Sequence, residues 1–114
     1  MCRLAADDEF PRWALSGGGF ASVARTAHEL SLVCAEDAVP QGIQCEPGWR
    51  LFKIEGPLDF ALTGILASVA QPLAEAGVSI FAISTYETDY VMVKEQDVEK
   101  AVLALAAAGH RVKR

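Results

Sequence analysis

The sequence predicts an α+β domain built in the order β-α-β-β-α-β, and three observations carry that expectation. From residue 49 onward, strand-like alternation and helix-like spacing follow one another in that order. A two-strand pattern at 25–37 is repeated at 84–97, which implies duplication of one supersecondary unit. The hydrophobic fraction is 52% and the charged fraction 22%, enough to build a core. A chain of 114 residues is then one compact domain or two small half-domains.

In chain order, WRLFKIE (49–55) alternates as a strand, with Trp49, Leu51, Lys53 and Glu55 on one side and Arg50, Phe52 and Ile54 on the other. GPLDFALTG (56–64) reads as a loop. ILASVAQPLAEAG then places Ile65, Leu66, Val69, Leu73 and Ala76 at helical spacing, and Gly77 ends the helix. Pro72 deletes one backbone hydrogen bond inside that helix, which predicts a bend. VSIFAIS (78–84) and DYVMVKE (89–95) are the second and third strands, joined as a hairpin. Asp97 is placed to cap a last helix whose apolar stripe is Val98, Ala101, Val102 and Leu105. Gly109 ends it, and HRVKR (110–114) is predicted to return as a short fourth strand. Units of this order form a four-stranded antiparallel sheet with both helices on one face, the ferredoxin-like arrangement, expected here for residues 47–114.

Residues 1–46 read as a shortened copy. Laying RTAHELSLVCAED on STYETDYVMVKEQD puts Thr26 on Thr85. After a one-residue gap it puts Glu29 on Asp89, Leu30 on Tyr90, Val33 on Val93 and Asp37 on Asp97; Gly18 likewise matches Gly77. With a strand at MCRLA and a short helix near PRWALS, this unit reads β-α-β-β. Its second helix is replaced by the linker AVPQGIQCEPG (38–48). In the third strand of the complete unit, Val91 and Val93 share one face and Tyr90 and Met92 the other. Both sheet faces are therefore apolar, and the one without helices is expected to be covered by the first unit or by a second chain. Homodimerisation is the expectation.

Composition narrows the function. A net charge of −5 argues against nucleic acid, whose phosphates call for clustered Lys and Arg. No apolar run reaches the roughly 20 residues needed to span a bilayer. The start MCRLAADDEF lacks a signal-peptide pattern. Cys2, Cys34 and Cys45 are widely spaced with no CxxC, which reads as a reduced, cytoplasmic chain with unpaired thiols. His28 and His110 are the only histidines, no GxSxG occurs, and GGG (17–19) lacks the Lys and Ser/Thr of a phosphate-binding loop. No enzyme, metal or cofactor is expected.

The remaining signal is geometric. Antiparallel neighbours bring the end of strand 49–55 to the beginning of strand 89–95, so Asp89 stands beside the 56–64 loop and the following helix. There Thr63, Gly64 and Ile65 offer a hydroxyl, close backbone approach and unpaired helical N–H groups, a site for a carboxylate. Asp89 could hold an ammonium or guanidinium group. Together they describe a receptor for a free amino acid. The same residues also fit a ligand-free hairpin, in which Asp89 accepts from turn amides and Thr85 and Thr88 complete the turn.

Residues 48–110, and above all the stretches LTGIL and STYETDYVMV, resemble an ACT domain, the small βαββαβ module that binds amino acids in metabolic regulators. The likeness is to the stand-alone bacterial ACT proteins related to the animal cytosolic arginine sensors called CASTOR, and WALSGGGFASVARTAHELSLVC extends it into the first unit. The resemblance implies tandem ACT-like units, with Asp89 and backbone groups near Thr85 and Tyr86 contacting the ligand. ALTG (61–64) keeps only the glycine of the common Asp-x-Pro-Gly helix start, and the chain is far shorter than the sensors, so arginine itself does not carry over. The resulting expectation is a non-catalytic regulatory protein that binds a free amino acid and acts through a separate protein partner. The alternative is an assembly module that kept the fold without the ligand.

Overall fold

The structure is a computed structural model that describes residues 1–55 and 63–113. Most of the 56–64 loop expected from sequence, and with it the first half of ALTG, lies outside the described residues. The chain folds as two compact units, Met1–Pro47 and Gly48–Arg114.

The first unit is an antiparallel sheet of β1 (Cys2–Leu4), β2 (Ser22–Arg25), β3 (Leu30–Val33) and β4 (Gln44–Cys45), ordered β2-β3-β1-β4. The short helix expected near PRWALS is a 3-10 turn over Arg12–Leu15. Pro11 precedes it and Gly17, Gly18 and Gly19 follow closely, leaving too few residues to offset helix nucleation. The segment expected to be only linker (38–48) supplies β4, and a second 3-10 turn at Glu36–Ala38 leads into it. Register pairs Cys2 with Leu32 and Leu32 with Val23, which puts these side chains on one face. Ala14 and Trp13 cover that face to form a small core.

The cysteines depart from expectation. Cys2 and Cys45 are register partners on β1 and β4 and are joined by a disulfide; Cys34 alone is a free thiol, pushed above its ordinary pKa by burial. Spacing concealed the pair because the two cysteines lie 43 residues apart and meet only once β1 and β4 are neighbours. A unit this small, with a core this thin, gains most from a covalent closure, worth about 4 kcal/mol for a loop of this length on chain-entropy grounds.

The second unit contains β5 (Trp49–Lys53), α1 (Ile65–Glu75), β6 (Ile80–Ser84), β7 (Asp89–Lys94) and α2 (Val98–Ala107). Its antiparallel sheet is ordered β5-β7-β6. Val91 and Val93 on β7 are fully buried against Leu73 of α1 and Ala101 and Leu105 of α2, with Phe52, Ile54 and Ile80 beside them. On the other face Met92 is also buried; Trp49 and Phe81 meet edge to face at 4.5 Å, and the Lys94 ammonium sits 4.8 Å from the Trp49 ring centroid. Both helices end in a Schellman motif at the expected glycines. Val78 N–H donates to Leu73 O and Gly77 N–H to Ala74 O; His110 N–H donates to Leu105 O and Gly109 N–H to Ala106 O. Asp97 does precede α2, but its side chain makes no cap hydrogen bond and instead lies 4.0 Å from the Lys100 ammonium.

The predicted fourth strand is not formed by residues 110–113. That segment borders a groove of about 1260 Å³ along β5, lined by Phe52, Ile54, Val102, Leu105 and Val112 among others. Arg111, Lys113, Arg50 and Lys53 line that groove together with Glu55, Glu95 and Glu99, so charges of both signs gather there. His110 is drawn elsewhere. Pro72 has no N–H to give the carbonyl four residues before it, that of Ser68, and His110 Nε2 reaches this carbonyl at 2.8 Å. A carbonyl only accepts, so Nε2 carries the proton.

The two hairpins also align differently from the sequence match. The last register pairs are Arg25 with Leu30 and Ser84 with Asp89, so the turns Thr26–Glu29 and Thr85–Thr88 are equally long. No gap is needed; Leu30, not Glu29, occupies the place of Asp89.

His110 compensating for Pro72 has a measurable consequence. His110→Ala should destabilise the protein by about 0.5–1.5 kcal/mol, the net worth of one hydrogen bond, and should cost much less in a Pro72→Ala background, where the helix supplies its own donor. Urea denaturation of the four proteins of this cycle checks it; equal costs in both backgrounds would contradict it.

Candidate functional site

The site is built on the β6–β7 hairpin. Odd-numbered residues of β7 face the helices, so Asp89 shares a face with Val91 and Val93. It sits at the end of the strand where core packing stops: Ala82 and Ser84 are exposed and Asp89 is half-buried, so its carboxylate remains reachable from water.

Three hydrogen bonds fix its position. Ile54 N–H donates to Asp89 O at 3.0 Å, extending the β5–β7 ladder by one bond beyond Lys53 and Tyr90. The Thr88 hydroxyl, only 4% exposed, donates to Ile54 O at 2.6 Å. On the other side the Ser84 hydroxyl donates to Asp89 Oδ1 across the terminal register pair. The turn itself is closed by Thr85 N–H donating to Thr88 O at 2.8 Å, with the Thr85 hydroxyl also donating to that carbonyl at 3.2 Å. Asp89 therefore does not cap the turn; Thr85 does. Tyr86, at the tip, is 81% exposed.

The second cluster lies at the start of α1. Gly64 precedes the helix with φ +78°, a left-handed conformation that a side chain would strain, and no side chain caps the first turn. Thr63 is exposed and is not the cap. Gly64 O accepts the first helical bond from Ser68 N–H at 2.9 Å, while Ile65 and its neighbours carry the N–H groups that helix geometry leaves without an internal partner. The hairpin thus brings Thr85, Tyr86 and Asp89 together, and α1 brings Thr63, Gly64 and Ile65 together. Among the described residues no hydrogen bond joins the two groups.

Ser84 and the burial of Thr88 were missed in the sequence. Counting the four-residue turn would have placed Ser84 opposite Asp89; that the Thr88 hydroxyl reaches across to β5 depends on the sheet. Among the described residues no group of three or more His, Cys, Asp or Glu could hold a metal, and no helix is long and apolar enough to cross a membrane.

A family model for the ACT domain matches residues 44–107, and a model describing an N-terminal domain matches residues 1–42. The chain is 38% identical over 66 residues to the bovine protein named cytosolic arginine sensor for mTORC1 subunit 1, a match spanning 54% of this chain and 20% of that protein. It is 47% identical over 58 residues to the human protein of the same name, spanning 50% and 18% respectively. The matches thus span about a fifth of the length of these relatives. A solved Agobacterium tumefaciens structure superposes with a TM-score of 0.88 at 43% identity, covering 99% of this chain and 88% of that one.

Thr88→Val keeps the side-chain shape and removes the donor to Ile54 O. It should cost about 1 kcal/mol, the net worth of a part-buried hydrogen bond, as read by urea denaturation. A cost indistinguishable from zero would mean that the Thr88 hydroxyl does not lock the hairpin to β5.

Proposed function

Because the chain belongs to the ACT-domain family and is related to the cytosolic arginine sensors, we propose that it is a non-catalytic regulatory protein that binds a free amino acid. The observation that carries this is Asp89: a reachable carboxylate on the helix-bearing face, held in one orientation by Ser84 and by a hairpin locked to β5. Oδ1 is engaged by Ser84, and the second carboxylate oxygen is left for a ligand cation. The amides at Gly64, Ile65 and the first turn of α1, which have no partner within the helix, with Thr63 at their edge, suit the ligand carboxylate. Backbone groups of Thr85 and Tyr86 flank the cation. The relatives are named for arginine, so arginine and lysine are the first ligands to test.

The same reading takes Met1–Pro47 as a shortened ACT-like unit in tandem with the complete one. Its strand order, β2-β3-β1-β4, is that of a ferredoxin-like sheet with the helices reduced to 3-10 turns, which supports this. The protein works in the cytoplasm as a homodimer. Ligand binding favours the conformation in which the hairpin and helix start are ordered together, and a separate protein partner reads that shift.

A thermal-shift screen with the free amino acids tests the proposal. A ligand at 100 times its dissociation constant should add about 2.7 kcal/mol of stability, and Asp89→Ala should abolish the shift with the fold intact. If no amino acid stabilises the protein at millimolar concentration, the fold serves assembly and not sensing. A shift that survives Asp89→Ala puts the ligand elsewhere.

A further inference from the structure

We propose that Cys2 and Cys45 form a reversible thiol–disulfide site, closed by a small-molecule disulfide of the glutathione class, and that its state controls whether the end of the first unit is fastened to β1. The inference rests on the cytoplasmic placement proposed above, because in a reducing compartment a protein disulfide is a switched state and not a permanent one.

The two sulfurs are placed for this chemistry by the ladder. Cys2 and Cys45 face one another in register, with Cα atoms 4.1 Å apart. Their accessibility differs. Cys2 is 3% exposed in the core of the unit, whereas Cys45 is half-buried on a strand of only two residues at the sheet edge, between exposed Gln44 and Glu46. A two-residue edge strand opens easily, so an incoming thiol or disulfide meets Cys45 first. Cys34 packs against the same cluster but lies outside the β1–β4 register pair, and burial pushes its thiol above the ordinary value.

The exchange balances. The Cys45 thiolate attacks the small disulfide, forming a mixed disulfide and expelling one small thiol. The Cys2 thiolate then attacks the Cys45 sulfur and expels the second. Two protein thiols lose two protons and two electrons, and the small disulfide becomes two thiols. Reduction reverses the sequence.

Position gives the bond its consequence. Only Glu46, Pro47 and Gly48 separate Cys45 from Trp49, the first residue of β5. With the bond closed, Cys45 is pinned and Glu46 is held beside it, its N–H donating to Met1 O at 2.8 Å and its carbonyl accepting from Met1 N at 3.1 Å. With the bond open, β4 keeps its backbone pairs and the packing of half-buried Ile43 and Cys45, and it can fray back toward Val39. The covalent connection leading into the second unit is then several residues longer.

The test uses the full chain, reduced with a dithiol and then equilibrated in buffers of reduced and oxidised glutathione. Maleimide labelling read by intact mass should fall from the three cysteines of the sequence to one, with peptide mapping placing the bond at Cys2–Cys45. Amide exchange across residues 39–48 should slow on the order of tenfold or more on closure, while β7 amides are unchanged. Cys45→Ala, at the less buried position, should exchange at the rate of the reduced protein in every buffer. A count that stays at three, a bond that involves Cys34, or exchange at 39–48 that is the same in both states would overturn the proposal. No readout uses an amino-acid ligand, so its failure is separate from failure of the sensor reading.

Discussion

Strand β7 carries the second unit, because β5 pairs along one of its edges and β6 along the other, and its side chains are buried on both faces. Slipping its register by one residue would turn Val91 and Val93 away from Leu73, Ala101 and Leu105. Each of those valines contributes about 1.5–3 kcal/mol through burial, and a slip would lose both at once, more than the roughly 0.5–1.5 kcal/mol of a typical hydrogen bond. Packing therefore sets the register, and the register sets the site. Once Val91 and Val93 face the helices, Asp89 must face them too, opposite Ser84 and one bond beyond the Lys53–Tyr90 pair.

The periodic elements of this unit were legible because their packing is local and repetitive. WRLFK alternates, IFAIS and DYVMVK are short apolar runs joined by a turn, the apolar positions of α1 and α2 recur at helical spacing, and glycine follows each helix at the Schellman position. What escaped were features decided by partners distant in the chain. HRVKR was expected as a strand, but His110 answers the carbonyl that Pro72 leaves open. The Cys2–Cys45 bond exists only because β4 lies beside β1. Matching Glu29 to Asp89 by charge required a gap that the equal turns do not contain. In the candidate site, Asp89, Thr85 and Gly64 were nameable from residue type, whereas Ser84 and Thr88 gain their roles from the ladder.

The two units solve the same problem with different means. The second has two helices to cover its sheet and a contiguous core. The first has a four-stranded sheet but offers only 3-10 turns to cover it, with Cys2, Ala14 and Leu32 as its fully buried cluster. A sheet so thinly covered depends on a covalent staple, which makes its stability sensitive to redox state in a way that the helical unit is not. Ligand and redox signals would then act on different units of one chain.

The most direct measurement is an amide chemical-shift titration of the full chain with a mixture of the free amino acids. The account predicts saturable shifts concentrated at Ser84–Asp89 and at Gly64–Leu66, the hairpin and the start of α1 moving together. Shifts confined to the groove beside β5, or no saturable shift at any amide, would contradict it.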